Sequence, residues 1–171
     1  MVNIKFNNLH TVNGFYDKQT STISYVVSDN SSKKCAVIDS VLDFDYSSGS
    51  IEYKNADEII SFIKEKDWEV EWLIETHVHA DHLSASPYIQ KKLGGKIGIS
   101  EKISEIQDIF GKTFNAGTEF QRDGSQFDKL FKNNDVYKIG QIISEIQDIF
   151  GKTFNAGTEF QKLFAMYSTD S

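Results

Sequence analysis

Glu75-Thr76-His77-Val78-His79-Ala80-Asp81-His82 is the stretch on which the reading of this 171-residue sequence turns. The chain has four histidines, and three of them crowd into this stretch with an aspartate between them. Imidazole is the commonest protein metal ligand and is largely neutral at pH 7. The run just upstream, Val70-Glu71-Trp72-Leu73-Ile74-Glu75-Thr76, is rich in β-formers and ends at the histidines. Strand alternation then predicts His77 and His79 on one side, where two ring nitrogens can converge on one ion. Asp81 and His82 follow, where the chain should turn into the next helix. They can face a second ion, or Asp81 can act as base or orienter for a water on the metal. The bland alternative, an exposed histidine run, fits poorly with an aspartate inside the run and a buried-type strand before it. The fourth histidine, His10, stands alone and reads as structural or exposed.

Outward from the cluster the chain divides into short elements. Ser24-Tyr25-Val26-Val27 and Cys35-Ala36-Val37-Ile38-Asp39 read as strands of a hairpin, separated by the turn-type cluster Ser28-Asp29-Asn30-Ser31-Ser32. A polar loop with Ser47, Ser48, Gly49 and Ser50 follows. Residues 56–66 read as an amphipathic helix, with Ile59, Ile60, Phe62 and Ile63 at helical spacing. Beyond the histidines, residues 84–93 look helical, with Gly94-Gly95 as a stop. Ile97-Gly98-Ile99 reads as a short strand. Strands first, then strand and helix in alternation, predict layered α and β structure.

One feature is abnormal. Residues 103–121 recur letter for letter at 143–161. Natural repeat arrays diverge and need several copies to build a core. Two identical copies in an otherwise non-repeating chain therefore read as a recent duplication or an assembly artefact. Each copy carries Ile, Ile, Ile and Phe at helical spacing (Ile103, Ile106, Ile109, Phe110), so both are expected to compete for one helical slot, a local–global conflict.

Composition narrows the function classes. The formal net charge of −7 disfavours nucleic acid and anionic membranes as partners, since both reward clusters of Lys and Arg. No stretch is long or apolar enough to span a bilayer, and the N-terminus lacks the apolar core of a signal peptide. The lone Cys35 has no internal disulfide partner, which points to a reducing, cytoplasmic setting. Within the apolar run Ala36-Val37-Ile38, it reads as a small buried hydrophobe rather than a nucleophile.

The motif Thr76-His77-Val78-His79-Ala80-Asp81-His82 resembles the signature of the metallo-β-lactamase superfamily. Its surroundings, Cys35-Ala36-Val37-Ile38-Asp39, Leu83-Ser84-Ala85, and Leu93-Gly94-Gly95-Lys96-Ile97-Gly98-Ile99, are similar to the branch with persulfide dioxygenases, glyoxalase II-like enzymes and β-lactamase hydrolase-like proteins. So are Asp123-Gly124-Ser125-Gln126-Phe127 and Val136-Tyr137-Lys138-Ile139-Gly140. The resemblance covers about residues 10–140. It implies an α+β fold, the αββα sandwich, of which this chain would hold only the N-terminal half. Residues 1–140 would form that part, and residues 141–171 the duplicated segment and an aberrant tail. It also implies one or two zinc or iron ions and a thioester, persulfide or glutathione-type substrate. The activity would be that of a hydrolase or a persulfide dioxygenase. In dinuclear members the residues matching His77 and His79 bind the first metal, and those matching Asp81 and His82 the second. In persulfide dioxygenases a single iron uses one histidine of the cluster, the one matching His77. Asp81 is the candidate catalytic residue. The family continues with a Thr-Pro-Gly-His turn, a metal-binding Asp and a further His. No histidine follows His82 here and no proline follows Pro87. On that ground the chain is expected to be truncated. It would then be an enzyme short of ligands, an inactive fragment, or a subunit that completes its metal site by association, as in a homo-oligomer.

Overall fold

The structure is a computed structural model, which describes residues 2–5, 10–79, 81–113, 115 and 121–145. Its strands are β1 (Val2–Lys5), β2 (His10–Asp17), β3 (Thr22–Asp29), β4 (Lys34–Ile38), β5 (Val41–Asp45), β6 (Ser50–Glu52), β7 (Glu69–Ile74), β8 (Leu83–Ser84), β9 (Lys96–Ser100), β10 (Lys129–Phe131), β11 (Val136–Ile139) and β12 (Ile142–Glu145). Its helices are α1 (Lys54–Glu65), α2 (Ser86–Leu93) and α3 (Ile103–Thr113). The main sheet runs β1-β2-β3-β4-β7-β9-β10. The first four strands pair antiparallel, and β4, β7, β9 and β10 pair parallel.

β4 shows why the sheet sits between two layers. Cys35 and Val37 belong to a core with Val26, Leu73, Ile59, Ile63 and Ile89, which brings α1 and α2 against one face. Ala36 and Ile38 alternate to the other face, where they meet Val12, Val27, Ile74, Phe131, Ile139 and Ile142. A strand covered on both faces needs a continuous apolar run, and Cys-Ala-Val-Ile supplies one. Each fully buried isoleucine or leucine contributes roughly 1.5–3 kcal/mol to this packing. The layers are thus helix, sheet and the start of a second sheet, as the sandwich reading of the sequence expects. α1 and α2 end near their predicted limits, and the Gly94 N–H closes α2 on the Gln90 carbonyl at 2.8 Å.

Cys35 is fully buried, and burial, with the charges of Glu71 and Glu69, pushes its thiol up to about 12. A thiol held neutral in a closed core is expected to resist a thiol-specific reagent in the native protein and to react on unfolding in urea. Native-state labelling at the rate of a free thiol would contradict this placement.

The duplicated string behaves differently in its two places. Ile103-Ser104-Glu105 opens α3, whereas Ile143-Ser144-Glu145 lies in β12. The start of the first copy takes the helical slot, and the identical letters at 143–145, which carry the same helical pattern, are extended instead. Gly140-Gln141 makes a tight turn, and β12 pairs with β11 in the register Ile139↔Ile142 to Val136↔Glu145. Pairing outweighs the weak helical preference of three residues. This hairpin spans position 140, where the sequence suggested a boundary. The remainder of the second copy and the tail lie outside the described residues.

Candidate metal centre

β7 ends at Ile74, three residues before the first histidine. Strand alternation therefore does not place His77 and His79. A carboxylate does. Asp39, just past β4, is 3% exposed and has a positive φ of 49°. Its backbone N–H donates to the Ile74 carbonyl at 2.9 Å, so the ends of β4 and β7 are held side by side. Its side chain then captures the loop. Oδ1 accepts from the Thr76 backbone N–H at 2.8 Å and from His79 Nε2 at 3.0 Å. Oδ2 accepts from the Thr76 hydroxyl at 2.6 Å.

Those partners determine which nitrogen of each ring carries the donated proton. Thr76 has spent its one hydroxyl proton on Asp39, so at 2.8 Å it must accept from His77 Nδ1–H. That leaves the His77 lone pair on Nε2. His79 donates through Nε2 to Asp39, so Nδ1 is the nitrogen that can give up its proton to an ion. His82 Nδ1–H donates to the Leu83 carbonyl at 3.0 Å, which leaves Nε2 as its acceptor nitrogen. His82 Nε2 is buried and has no hydrogen-bond partner. A buried orphaned acceptor is costly unless something fills it. The rings of His77 and His79 lie 4.2 Å apart, and those of His79 and His82 4.1 Å apart. Two sets of donor atoms lie close enough to share an ion, Asp39/His77/His79 and His79/Asp81/His82. The donor chemistry, imidazole and carboxylate with no thiolate, suits zinc or iron.

The electrostatics differ along the cluster. Burial and the neighbouring His79 charge keep the His77 imidazole below its ordinary value, so it is neutral at pH 7. Burial works against a charged His79, but the hydrogen bond to Asp39 and the Glu75 carboxylate 3.3 Å from the same nitrogen overcome this and raise it to about 10. Burial would raise the Asp81 carboxyl, yet the Thr22 hydroxyl hydrogen bond at 2.9 Å and the nearby His82 and His79 hold it below its usual value. Asp81 Oδ1 lies 4.0 Å from His79 Nδ1. All four sequence-predicted ligands, His77, His79, Asp81 and His82, therefore come together in one loop.

His10 does not join them. It begins β2 opposite Asp29, whereas Thr22, which touches Asp81, pairs with Asp17 at the other end of that strand pair. Seven residues of strand put His10 about 23 Å away. Two residues that sequence reasoning did not assign to the site stand in it, Asp39 and Glu75. Asp39 was visible as the polar end of an apolar strand, but nothing in the local sequence tied it to a loop some forty residues on. Glu75 was visible as the residue that opens the histidine stretch, but nothing in the sequence gave it a role there.

A model of the metallo-beta-lactamase superfamily matches residues 18–149. A probable metallo-hydrolase of Burkholderia pseudomallei is 49% identical over 77% of this chain and 45% of its own length. A beta-lactamase hydrolase-like protein of Xylella fastidiosa is 42% identical over 77% of this chain and 30% of its own length. Glyoxylase B2 of Dictyostelium discoideum is 39% identical over 75% of this chain and 44% of its own. The chain thus spans less than half the length of these curated relatives. Among solved structures, a metallo-beta-lactamase from Staphylococcus aureus superposes with a TM-score of 0.59 at 20% identity, over 82% of this chain and 33% of that one. ETHE1 from Myxococcus xanthus superposes with a TM-score of 0.55 at 19% identity, over 78% and 46%. At such identities the likeness is one of fold.

Proposed function

This chain belongs to the metallo-beta-lactamase superfamily, and from that premise we propose that it carries the ligand loop of a metal-dependent hydrolase. His77, His79, Asp81 and His82 are the ligands, and a small thioester of glutathione type is the substrate. One observation supports this reading above the others. Each of the three rings has one nitrogen committed to an acceptor of the chain, and in His82 the other nitrogen is buried with no partner. That is the arrangement a metal ligand needs, because the outer hydrogen bond fixes both tautomer and ring orientation.

A divalent ion held there supplies Lewis acidity that brings the pKa of a water to about 7. The chain contributes the rest. Asp39 and Thr76 orient His77 and His79. Asp81, kept ionised and half-exposed beside Thr22, can accept a proton from an attacking water and hand it to the leaving thiolate. Further ligands would come from the portion of the relatives that lies beyond their match to this chain.

The test is a zinc titration against a chromophoric chelator, followed by a thioester assay. About one equivalent of zinc is expected to bind, and His77→Ala is expected to weaken binding by about 100-fold. Hydrolysis of a glutathione thioester should then require zinc. Failure to bind zinc would remove the metal reading. Oxygen uptake on a glutathione persulfide with iron(II), without thioester hydrolysis, would reassign the site to a sulfur dioxygenase.

A further inference from the structure

We infer that Glu75 is a positioning residue of this site: its buried carboxylate, anchored by Ser84 and Ser86, fixes the His79 ring so that Nδ1 rather than Nε2 faces the ion. The inference rests on the metal reading above and concerns which side of His79 is used.

Glu75 is 5% exposed and follows directly on the end of β7. A carboxylate in such a place is expensive to bury unless its oxygens are occupied. Oε1 is occupied, accepting from the Ser84 hydroxyl and from the Ser86 hydroxyl at 2.5 Å. Ser84 lies in β8 and Ser86 opens α2, so this one oxygen ties the start of the ligand loop to its end. His77, His79, Asp81 and His82 all lie between these tie points. Oε2 is buried and has no ordinary hydrogen bond; it lies 3.3 Å from His79 Nε2. The same nitrogen is already 3.0 Å from Asp39 Oδ1.

Holding the ring in place requires one acceptor, and here there are two carboxylates on one nitrogen. Their joint effect is to keep the proton on Nε2. This matters because His79 belongs to both candidate donor sets. Using Nε2 for an ion would cost it the hydrogen bond to Asp39. In the set with Asp81 and His82, Nδ1 serves and Nε2 stays protonated. With Nε2 held by Glu75 and Asp39, the ion is left Nδ1, the side on which Asp81 Oδ1 lies 4.0 Å away.

Glu75→Gln keeps the shape and one acceptor oxygen for the serines but removes the charge. Two readouts are used on the full chain. In the metal-free protein, long-range proton–nitrogen NMR of the imidazoles should show a downfield, exchange-protected Nε2–H for His79. Glu75→Gln should shift it upfield and speed its exchange by at least about tenfold. In the zinc titration, Glu75→Gln should weaken binding by about 10–100-fold. An unchanged His79 resonance overturns the inference whether or not zinc affinity falls, since a fall alone would mark a merely structural role. If wild-type protein binds no zinc, the metal reading fails, while the metal-free resonance still decides whether Glu75 fixes the ring. Should Glu75→Gln not fold, Ser84→Ala combined with Ser86→Ala leaves the carboxylate but removes its anchors. Loss of the protected resonance there supports the inference, and an unchanged resonance overturns it.

Discussion

Asp39→Ala is expected to produce the largest loss of any single substitution outside the ligands, lowering zinc affinity by about 100-fold and stability by about 3–5 kcal/mol. The two effects have one origin. The Asp39 carboxylate is nearly inaccessible and accepts three hydrogen bonds, from the Thr76 N–H, the Thr76 hydroxyl and His79 Nε2. Alanine leaves both Thr76 donors without an acceptor in a closed space and leaves the His79 N–H only the Glu75 carboxylate at 3.3 Å. It also frees the Thr76 hydroxyl proton, so His77 loses the partner that set its tautomer. Both rings are then misaligned, whereas Glu75→Gln touches His79 alone. Urea unfolding measures the first effect and chelator competition the second. A variant within twofold of wild type in zinc affinity would show that Asp39 does not orient the ligands.

Gly140→Ala is expected to lower stability by about 3 kcal/mol, which for a chain of this size is a fall in melting temperature of about 6–12 °C. Gly140 has a φ of +59°, where alanine is strained, and a Cβ there would overlap the Ser32 hydroxyl and come within 2.5 Å of Asp29 Oδ2. Ordinary αL strain costs on the order of 1 kcal/mol. The larger part is the lost docking of the β11–β12 hairpin. The Gly140 N–H donates to Glu71 Oε2 and the Gln141 N–H to Asp29 Oδ2, both at 2.8 Å. Hydrogen bonds to charged groups contribute about 1.5–3 kcal/mol each. Asp29 is ionised throughout the working range: burial would raise its carboxyl, but hydrogen bonds from Ser31, Gln141 and Ser32 bring it down to about 2. Trp72 gives a local readout, because its Nε1–H donates to the Lys138 carbonyl at 3.0 Å. Its fluorescence should move to longer wavelength in the variant before global unfolding. A melting temperature within a degree of wild type would show that the hairpin is not held through its tip.

The parts of the fold that were legible in the sequence are those where local chemistry and tertiary demand agree. β4 carries four apolar residues, Cys35 to Ile38, after a polar turn, and these are buried on both faces. α1 carries its isoleucines at helical spacing, and all of Ile59, Ile60 and Ile63 are buried. β2 was not legible, because Asn13 and Gly14 are poor strand formers held in place by β1 and β3. β5, β6 and β8 were missed because they are short and Val41-Leu42-Asp43-Phe44-Asp45 has little to distinguish it from a loop. The pairings Leu42↔Leu83 and Asp43↔Glu52 create them, and these join distant segments. The Ile-Ser-Glu string, helical at 103 and extended at 143, shows the limit directly, since no local rule separates identical letters. At the site the three clustered histidines and Asp81 were legible because histidines are rare in this chain and three of the four fall together. Asp39 and Glu75 were not, because carboxylates are common and only the fold shows which two meet His79.

In the proposed centre, the loop from His77 to His82 presents imidazole nitrogens to one ion. X-ray absorption at the zinc edge of the loaded protein tests it most directly. Coordination by nitrogen and oxygen only is expected, at about 2.0–2.1 Å for nitrogen, with the multiple-scattering signature of at least two imidazoles. A shell containing sulfur, or one without imidazole, would contradict it.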